Sequence, residues 1–317
     1  YKSFVNIRVT LNDHFGFRNK MISYGGILKA KIFGTSPRQE KVIVGKENMM
    51  FYWIGPSRNS YFNDKLFESD TLGYFGEMIR KASNTAKLNK AHFFISLYPD
   101  KHSVYGDLFP LRYRLREMAE LDREKQLEHF VSEEKINYVP QKQDLLDYRS
   151  EVDIPIYHNL DSHWNTVGAF RAYQNLIGSI REKVPEITQP LDLSDFDMVK
   201  NVEYSEGDLM DIMGVDNSFG FFKDTKIVLN PKAGQVTKFN TSTDASGAMI
   251  ISNAEQDGKP SLLIIGDSFT FELLRFLPYH FSKIIFIRGI EIDKEMNETH
   301  QPDVVLYGIV ERNLESF

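Results

Sequence analysis

Cysteine is absent from this 317-residue chain, which excludes disulfides, thiolate nucleophiles and thiolate metal sites but leaves the redox compartment open. Long hydrophobic runs are missing too, so no segment is apolar enough for long enough to cross a bilayer. There is no extended Lys/Arg tract, and the formal net charge is -6, which makes nucleic acid a poor partner. Only two indoles occur, Trp53 and Trp164, and no internal repeat or low-complexity stretch is evident. The sequence begins at Tyr1 rather than Met, which is compatible with a signal or membrane anchor upstream.

Apolar and aromatic residues are plentiful, at 42% and 13%, so the chain can bury a sizeable core. Most of the rings are expected there, with stacking on sugar faces as the other use. Residues 1–33 read as helical. Lys41–Gly45 and Phe51–Trp53 read as short strands, 70–88 as an amphipathic helix capped by Asp70 or Thr71, and His92–Tyr98 as a buried strand stopped by Pro99. A charged helix over 111–135, a strand over 136–139, a helix over 141–149 and a brief strand over 154–157 follow. Thr166 to Lys183 places Phe170, Tyr173, Leu176, Ile177 and Ile180 on one helical face.

From about 190 to 253 the pattern changes to alternating strands (226–229, 235–239, 248–251), read as a β-rich insertion. Strands at 262–265, 283–287 and 304–307 and a helix over 271–281 then resume the earlier pattern. Short, doubly apolar strands alternating with helices predict a mainly parallel sheet covered on both faces, a three-layer α/β/α fold. One domain spanning 1–317, with the insertion inside it, fits better than two.

Two motifs carry chemistry. In Ile264-Ile265-Gly266-Asp267-Ser268-Phe269, Ser268 follows a buried parallel strand, where ligand sites of such sheets gather. A helix starting near Phe269 aims backbone N–H groups at the same point, ready to meet an oxyanion. The plain alternative is a strand-to-helix turn with Asp267 or Ser268 as N-cap. In Asp161-Ser162-His163-Trp164-Asn165, the carboxylate and the imidazole are two residues apart, so one can hold the other's tautomer. An Asp-x-His pair also suits a metal, but His158 is the only nearby histidine and thiols are lacking.

These residues resemble the SGNH (GDSL-type) hydrolase superfamily, in the alginate O-acetylation branch typified by AlgX and AlgJ. Ordinary members carry the serine motif early and Asp-x-x-His late; this branch is circularly permuted, with Asp-x-His-Trp first, as here. Residues 13–18 (DHFGFR), 42–52 (VIVGKENMMFY), 98–105 (YPDKHSVY) and Gly168-Ala169 resemble further segments of the branch, although Met49 stands where Trp or Gly is usual. The similarity runs from about Asp13 to Arg312 and is loose between 190 and 253.

The resemblance implies Ser268 as nucleophile, His163 as general base and acid, and Asp161 as its orienter. It implies ping-pong acetyl transfer onto hydroxyls of an exported or cell-surface polysaccharide, outside the cytoplasm, with no metal or nucleotide cofactor. A membrane-bound O-acyltransferase would supply the acetyl groups, and an N-terminal anchor is compatible with that setting. The Ser268 N–H is the expected oxyanion donor; the usual glycine and asparagine blocks are not recognisable, which leaves the second donor open. Arg288, Lys101, Tyr105, Trp164 and Asp267 are the candidates for substrate binding or oxyanion support, each with a structural alternative: a sheet-edge ion pair, loop packing, packing beneath His163, or helix capping. Two other functions use the same residues: a carbohydrate acetyl esterase with the same triad, and a non-catalytic polysaccharide-binding scaffold.

Overall fold

Eleven strands are found among the described residues of a computed structural model, which are 18–69, 72–116, 121–218, 220–233, 238–292 and 300–317. In chain order they are β1 (Val42–Val44), β2 (Met50–Tyr52), β3 (His92–Tyr98), β4 (Asn137–Pro140), β5 (Phe196–Tyr204), β6 (Asp224–Pro231), β7 (Asn240–Thr243), β8 (Met249–Ser252), β9 (Ser261–Gly266), β10 (Lys283–Arg288) and β11 (Val304–Val310). Seven form the central sheet in the order β4-β3-β11-β9-β10-β8-β7. The first five of these pair in parallel, and β8 and β7 are added antiparallel at one edge.

Side-chain alternation along each strand sorts the core into two faces. Phe94, Leu262, Ile264, Ile284, Val304 and Leu306 lie on one side, packed with Phe170, Tyr173 and Ile177 of the helix Thr166–Arg181. Phe93, Ile95, Leu263, Ile285, Val305 and Tyr307 lie on the other, with Phe75 and Ile79 of the helix Gly73–Leu88 and Leu127 and Phe130 of Arg123–Glu133. Strands apolar at successive positions therefore make the middle of an α/β/α arrangement, as the pattern predicts. Because the five strands run the same way, β3, β9, β10 and β11 all deliver their following residues to one edge.

Several local expectations change. The segment 190–253 does not act as one unit. β5 and β6 form a separate antiparallel ribbon, whereas β7 and β8 extend the main sheet. The helix expected over 271–281 is a helix Ser268–Leu273 followed by a 3-10 turn Leu277–Tyr279. Pro278 sits in that turn and has no N–H for an α-helical bond. The charged helix over 111–135 is a single turn Leu111–Arg114 and then Arg123–Glu133, restarted by Asp122, whose side chain accepts from the Lys125 N–H. The strand expected at 154–157 is only a bridge between Tyr157 and Trp164. The caps Asp70 and Thr71, residues 1–17 with most of the 13–18 motif, and residues 235–237 of an expected strand lie outside the described residues. No helix among the described residues is long and apolar enough to cross a membrane.

Candidate active site

Ser268 is presented by a tight exit from β9. A Cβ on Gly266 would lie 2.3 Å from Thr270 Oγ1 and 3.0 Å from the Gly308 carbonyl, so glycine lets the helix that begins with Ser268 start directly against the sheet. Asp267 then caps that helix. One carboxylate oxygen accepts from Phe269 N at 3.0 Å; the other accepts from Val310 N at 2.7 Å and Asn313 Nδ2 at 2.9 Å. The capping alternative for Asp267 is thus present, and it ties the turn that presents Ser268 to the end of β11. Burial pushes its carboxyl pKa up, only partly offset by those N–H donors and by Arg312.

Asp161 and His163 sit on the loop that enters the helix Thr166–Arg181. Asn165 anchors its far end: its side chain accepts from Val167 N and Gly168 N and donates to the Pro155 carbonyl at 2.6 Å. Gly168 is needed for the same junction, since a Cβ there would stand 2.2 Å from the Ile156 carbonyl oxygen. Gly168→Ala is expected to cost about 1–3 kcal/mol through overpacking against backbone; denaturant unfolding checks it, and an unchanged midpoint would contradict the packing account.

The loop brings three side chains into line. His163 Nε2 is 2.8 Å from Ser268 Oγ, and His163 Nδ1 is 2.7 Å from Asp161 Oδ1, which also accepts from the His163 N–H at 3.0 Å. Burial opposes ionisation of Asp161, but His163 and the N–H groups of His163 and Asp208 outweigh it and hold the carboxyl well below the usual range. A fixed carboxylate on Nδ1 sets the tautomer that leaves Nε2 as acceptor for the serine proton. No hydrogen bond among the described residues uses the Ser268 N–H, which is left available at the helix start.

The cleft over this trio has a volume of about 330 Å³ and is lined by residues including His158, Phe271, Phe286 and Arg288. Arg288, at the end of β10, is exposed, and its guanidinium makes no ion pair with the described residues. Trp164 touches the cleft but is 1% exposed, packed edge-on against Tyr98 and Phe269, and so lies beside the ring system under His163. Lys101 and Tyr105 are not brought to the cleft. Lys101 is buried and donates to the Met50 carbonyl at 2.6 Å, its pKa lowered to about 8 by burial, and Tyr105 Oη accepts from Ile156 N. Both serve packing, the structural alternative.

Sequence patterns did not single out Asp208, Phe271 or Arg312. Asp208 lies 47 residues from Asp161, yet its N–H donates to Asp161 Oδ2 at 3.1 Å. Arg312 lies against Asp100, with its guanidinium over the rings of Phe269 and Tyr52 at 5.2 and 5.0 Å. Only the tertiary fold creates these contacts.

A larger cavity of about 570 Å³ lies over the ends of β3, β4 and β11, apart from Ser268. Its lining includes His102 and Glu311; these and the buried Asp100 offer one ligand atom each within 4.8 Å of the others, as is also true of Asp161, His163 and Asp208. Neither group suits a cation as it stands. Both ring nitrogens of His163 are engaged, and the Arg312 guanidinium rests on Asp100. Burial pushes the Glu311 carboxyl up to about 8 from 4.5. The folded state then keeps a proton that the unfolded chain releases, so this contribution is full below about pH 4.5 and lost as pH rises through about 8. Glu311→Gln is expected to flatten that fall in stability, measured by urea unfolding on both sides of the window; an unchanged pH slope would contradict it.

The model of a family described as SGNH hydrolase-like domain, acetyltransferase AlgX, matches residues 75–285. Among solved structures, PatB1 of Bacillus cereus is similar with a TM-score of 0.62 at 14% identity, covering 86% of this chain and 96% of that one. A DHHW family protein from Eubacterium siraeum is similar at 0.60 and 14% identity, over 86% and 91% of the two chains. The O-acetyltransferase domain of Pseudomonas putida AlgJ gives 0.55 and 14%, over 87% and 95%. No curated protein matches the sequence. Those structural likenesses establish the fold, and the family match covers more than half of the chain and includes Asp161, His163 and Ser268. The chain therefore belongs to the AlgX family of SGNH hydrolase-like domains.

Proposed function

We propose that this chain is a polysaccharide O-acetyltransferase in which Ser268, His163 and Asp161 act as nucleophile, general base and acid, and orienter. The observation that carries the reading is the unbroken chain of contacts, 2.8 Å from Ser268 to His163 and 2.7 Å from His163 to Asp161. Ser268 Oγ attacks the acetyl carbonyl of a donor while its proton passes to His163 Nε2. The donor's leaving group departs with that proton, and an acetyl-serine ester is left. A sugar hydroxyl then gives its proton to His163 and attacks the ester; Ser268 leaves and recovers the proton. The Ser268 N–H is the assigned oxyanion donor.

Names of similar proteins support the acetyl chemistry: one is an O-acetyltransferase domain, and the family is named for an acetyltransferase. With that reading go an extracytoplasmic setting, a polysaccharide acceptor, a membrane-bound O-acyltransferase as acetyl supplier, and a single acetyltransferase domain. A permuted SGNH chain order and the 190–253 segment as an addition to it belong to the same proposal. Hydrolysis is the second reading, because the His163 side chain is 27% exposed and water can reach it. Incubation with an acetyl ester, with and without sugar oligomers, separates the two. Transfer predicts acetylated oligomers by mass spectrometry; acetate release with no oligomer gaining acetyl mass would leave only the esterase.

Phe271 sharpens the distinction. It is 51% exposed on the nucleophile helix, edge-on to Phe286 at 6.3 Å, and offers an apolar ring at the cleft. Phe271→Ala is expected to leave p-nitrophenyl acetate hydrolysis within about twofold and to lower transfer to oligosaccharide roughly 5–20-fold, equivalent to about 1–2 kcal/mol of lost acceptor contact. A fall in both rates by the same factor would count against an acceptor role.

A further inference from the structure

The orienter Asp161 is itself held from outside its loop, by the Gly207-Asp208-Leu209 segment between β5 and β6. Two of these residues, Asp208 and Leu209, hydrogen-bond to three consecutive residues of the loop. Leu209 N donates to the Leu160 carbonyl at 3.1 Å, Asp208 N donates to Asp161 Oδ2 at 3.1 Å, and the Asp208 carboxylate accepts from Ser162 twice, from N at 2.7 Å and Oγ at 2.6 Å. The approach is so close that a Cβ on Gly207 would lie 2.2 Å from the Leu160 oxygen and 2.9 Å from Asp161 N. Beneath it, Leu209, Met210 and Met213 pack with Leu160 and with Val42, Val44 and Met50 of the β1–β2 ribbon. The clamp therefore rests on an apolar base and ends in polar contacts on both sides of the residue that orients His163.

We propose that Asp208 is a positioning residue for His163, acting through Ser162 and Asp161. This rests on the assignment of Ser268, His163 and Asp161 above. Asp161 makes three hydrogen bonds: two to His163, and one to Asp208 N that fixes the remaining oxygen. Without a grip on Ser162 the loop is free to rotate the carboxylate off Nδ1, and the imidazole loses its alignment on Ser268. The Asp208 carboxylate also stands 3.9 Å from His163 Nδ1, so two negative groups face the ring. Ser162 is the handle, which gives the middle residue of the Asp-x-His motif a task of its own.

The test has two independent arms. In the first, proton NMR follows the His163 Nδ1–H resonance downfield of the amides, identified by its loss in His163→Gln. It is expected in the wild-type chain and in Ser268→Ala, and lost or broadened in Asp208→Ala and Ser162→Ala, with Asp208→Asn intermediate because one acceptor oxygen is kept. In the second, Asp208→Ala is expected to lower kcat for p-nitrophenyl acetate roughly 10–100-fold, the effect of a small misplacement of a catalytic group, with KM within about twofold. Combining it with Ser162→Ala is expected to add little, since the Oγ bond that Ser162→Ala removes is already lost with the Asp208 carboxylate. Absence of the resonance in the wild type, an unchanged resonance in both Asp208 variants, or additive losses in the double variant would overturn the proposal. An inactive wild-type chain with the resonance intact would instead count against the catalytic reading and leave the positioning role standing.

Discussion

Ser268→Ala is expected to lower turnover of p-nitrophenyl acetate on the order of 10⁴–10⁶-fold, with thermal stability nearly unchanged. The loss is large because the acetyl group has no other oxygen to occupy between donor and acceptor, and members of a triad act as a unit. Stability is spared because the group left without a partner, His163 Nε2, belongs to a side chain that is 27% exposed and can bond to water. Asp267 still caps the helix through Phe269 N and is held by Val310 N and Asn313 Nδ2, so the turn itself has no reason to move. Steady-state kinetics with circular dichroism melts makes the measurement. Activity within tenfold of wild type would remove Ser268 from the reaction.

The largest stability effect is expected from Arg312→Ala, about 3–5 kcal/mol. Asp100 is 2% exposed, its Oδ2 has no hydrogen-bond partner, and Arg312 is the cation resting on its other oxygen. Removing the guanidinium strands a buried carboxylate, which costs more than the pair contributes when intact. It also uncovers the face of Phe269, next to Ser268, so activity is expected to fall along with stability. Arg312→Lys keeps the charge without the planar fork and is expected to recover only part of the loss. Urea unfolding of the three chains decides it; a loss under about 1 kcal/mol for Arg312→Ala would mean that Asp100 finds another partner.

Much of this architecture was legible because the central strands are apolar at successive positions. Val304–Val310 and Leu262–Ile265 are buried along their length, and a doubly covered strand suits short, β-branched runs of this kind. The poorest reading came where burial is one-sided or absent. β5 is mostly exposed beyond Phe196 and was not predicted, and β7, Asn240–Thr243, is exposed throughout. Such strands are held by partner backbone, not by a hydrophobic face, so periodicity carries no signal for them.

The same contrast holds at the site. Asp161, His163 and Ser268 were visible because their residue types and order are unusual together. Asp208 and Arg312 were not, since an aspartate after glycine and an arginine near the end of the chain are ordinary until the fold sets them against Ser162 and Asp100. Lys101 and Tyr105 show the opposite ambiguity: residues just after a strand end fit a cleft role or loop packing by sequence, and here both are spent on carbonyl and amide groups of the core.

The central claim is that Ser268 carries an acetyl group from donor to sugar. Peptide mapping by mass spectrometry after brief exposure to an acetyl donor tests it most directly. The account predicts acetyl mass on the peptide containing Ser268, absent in Ser268→Ala, and its transfer to added oligosaccharide as the peptide loses it. Acetyl mass on another residue, or loss from Ser268 only as free acetate however much oligosaccharide is present, would contradict it.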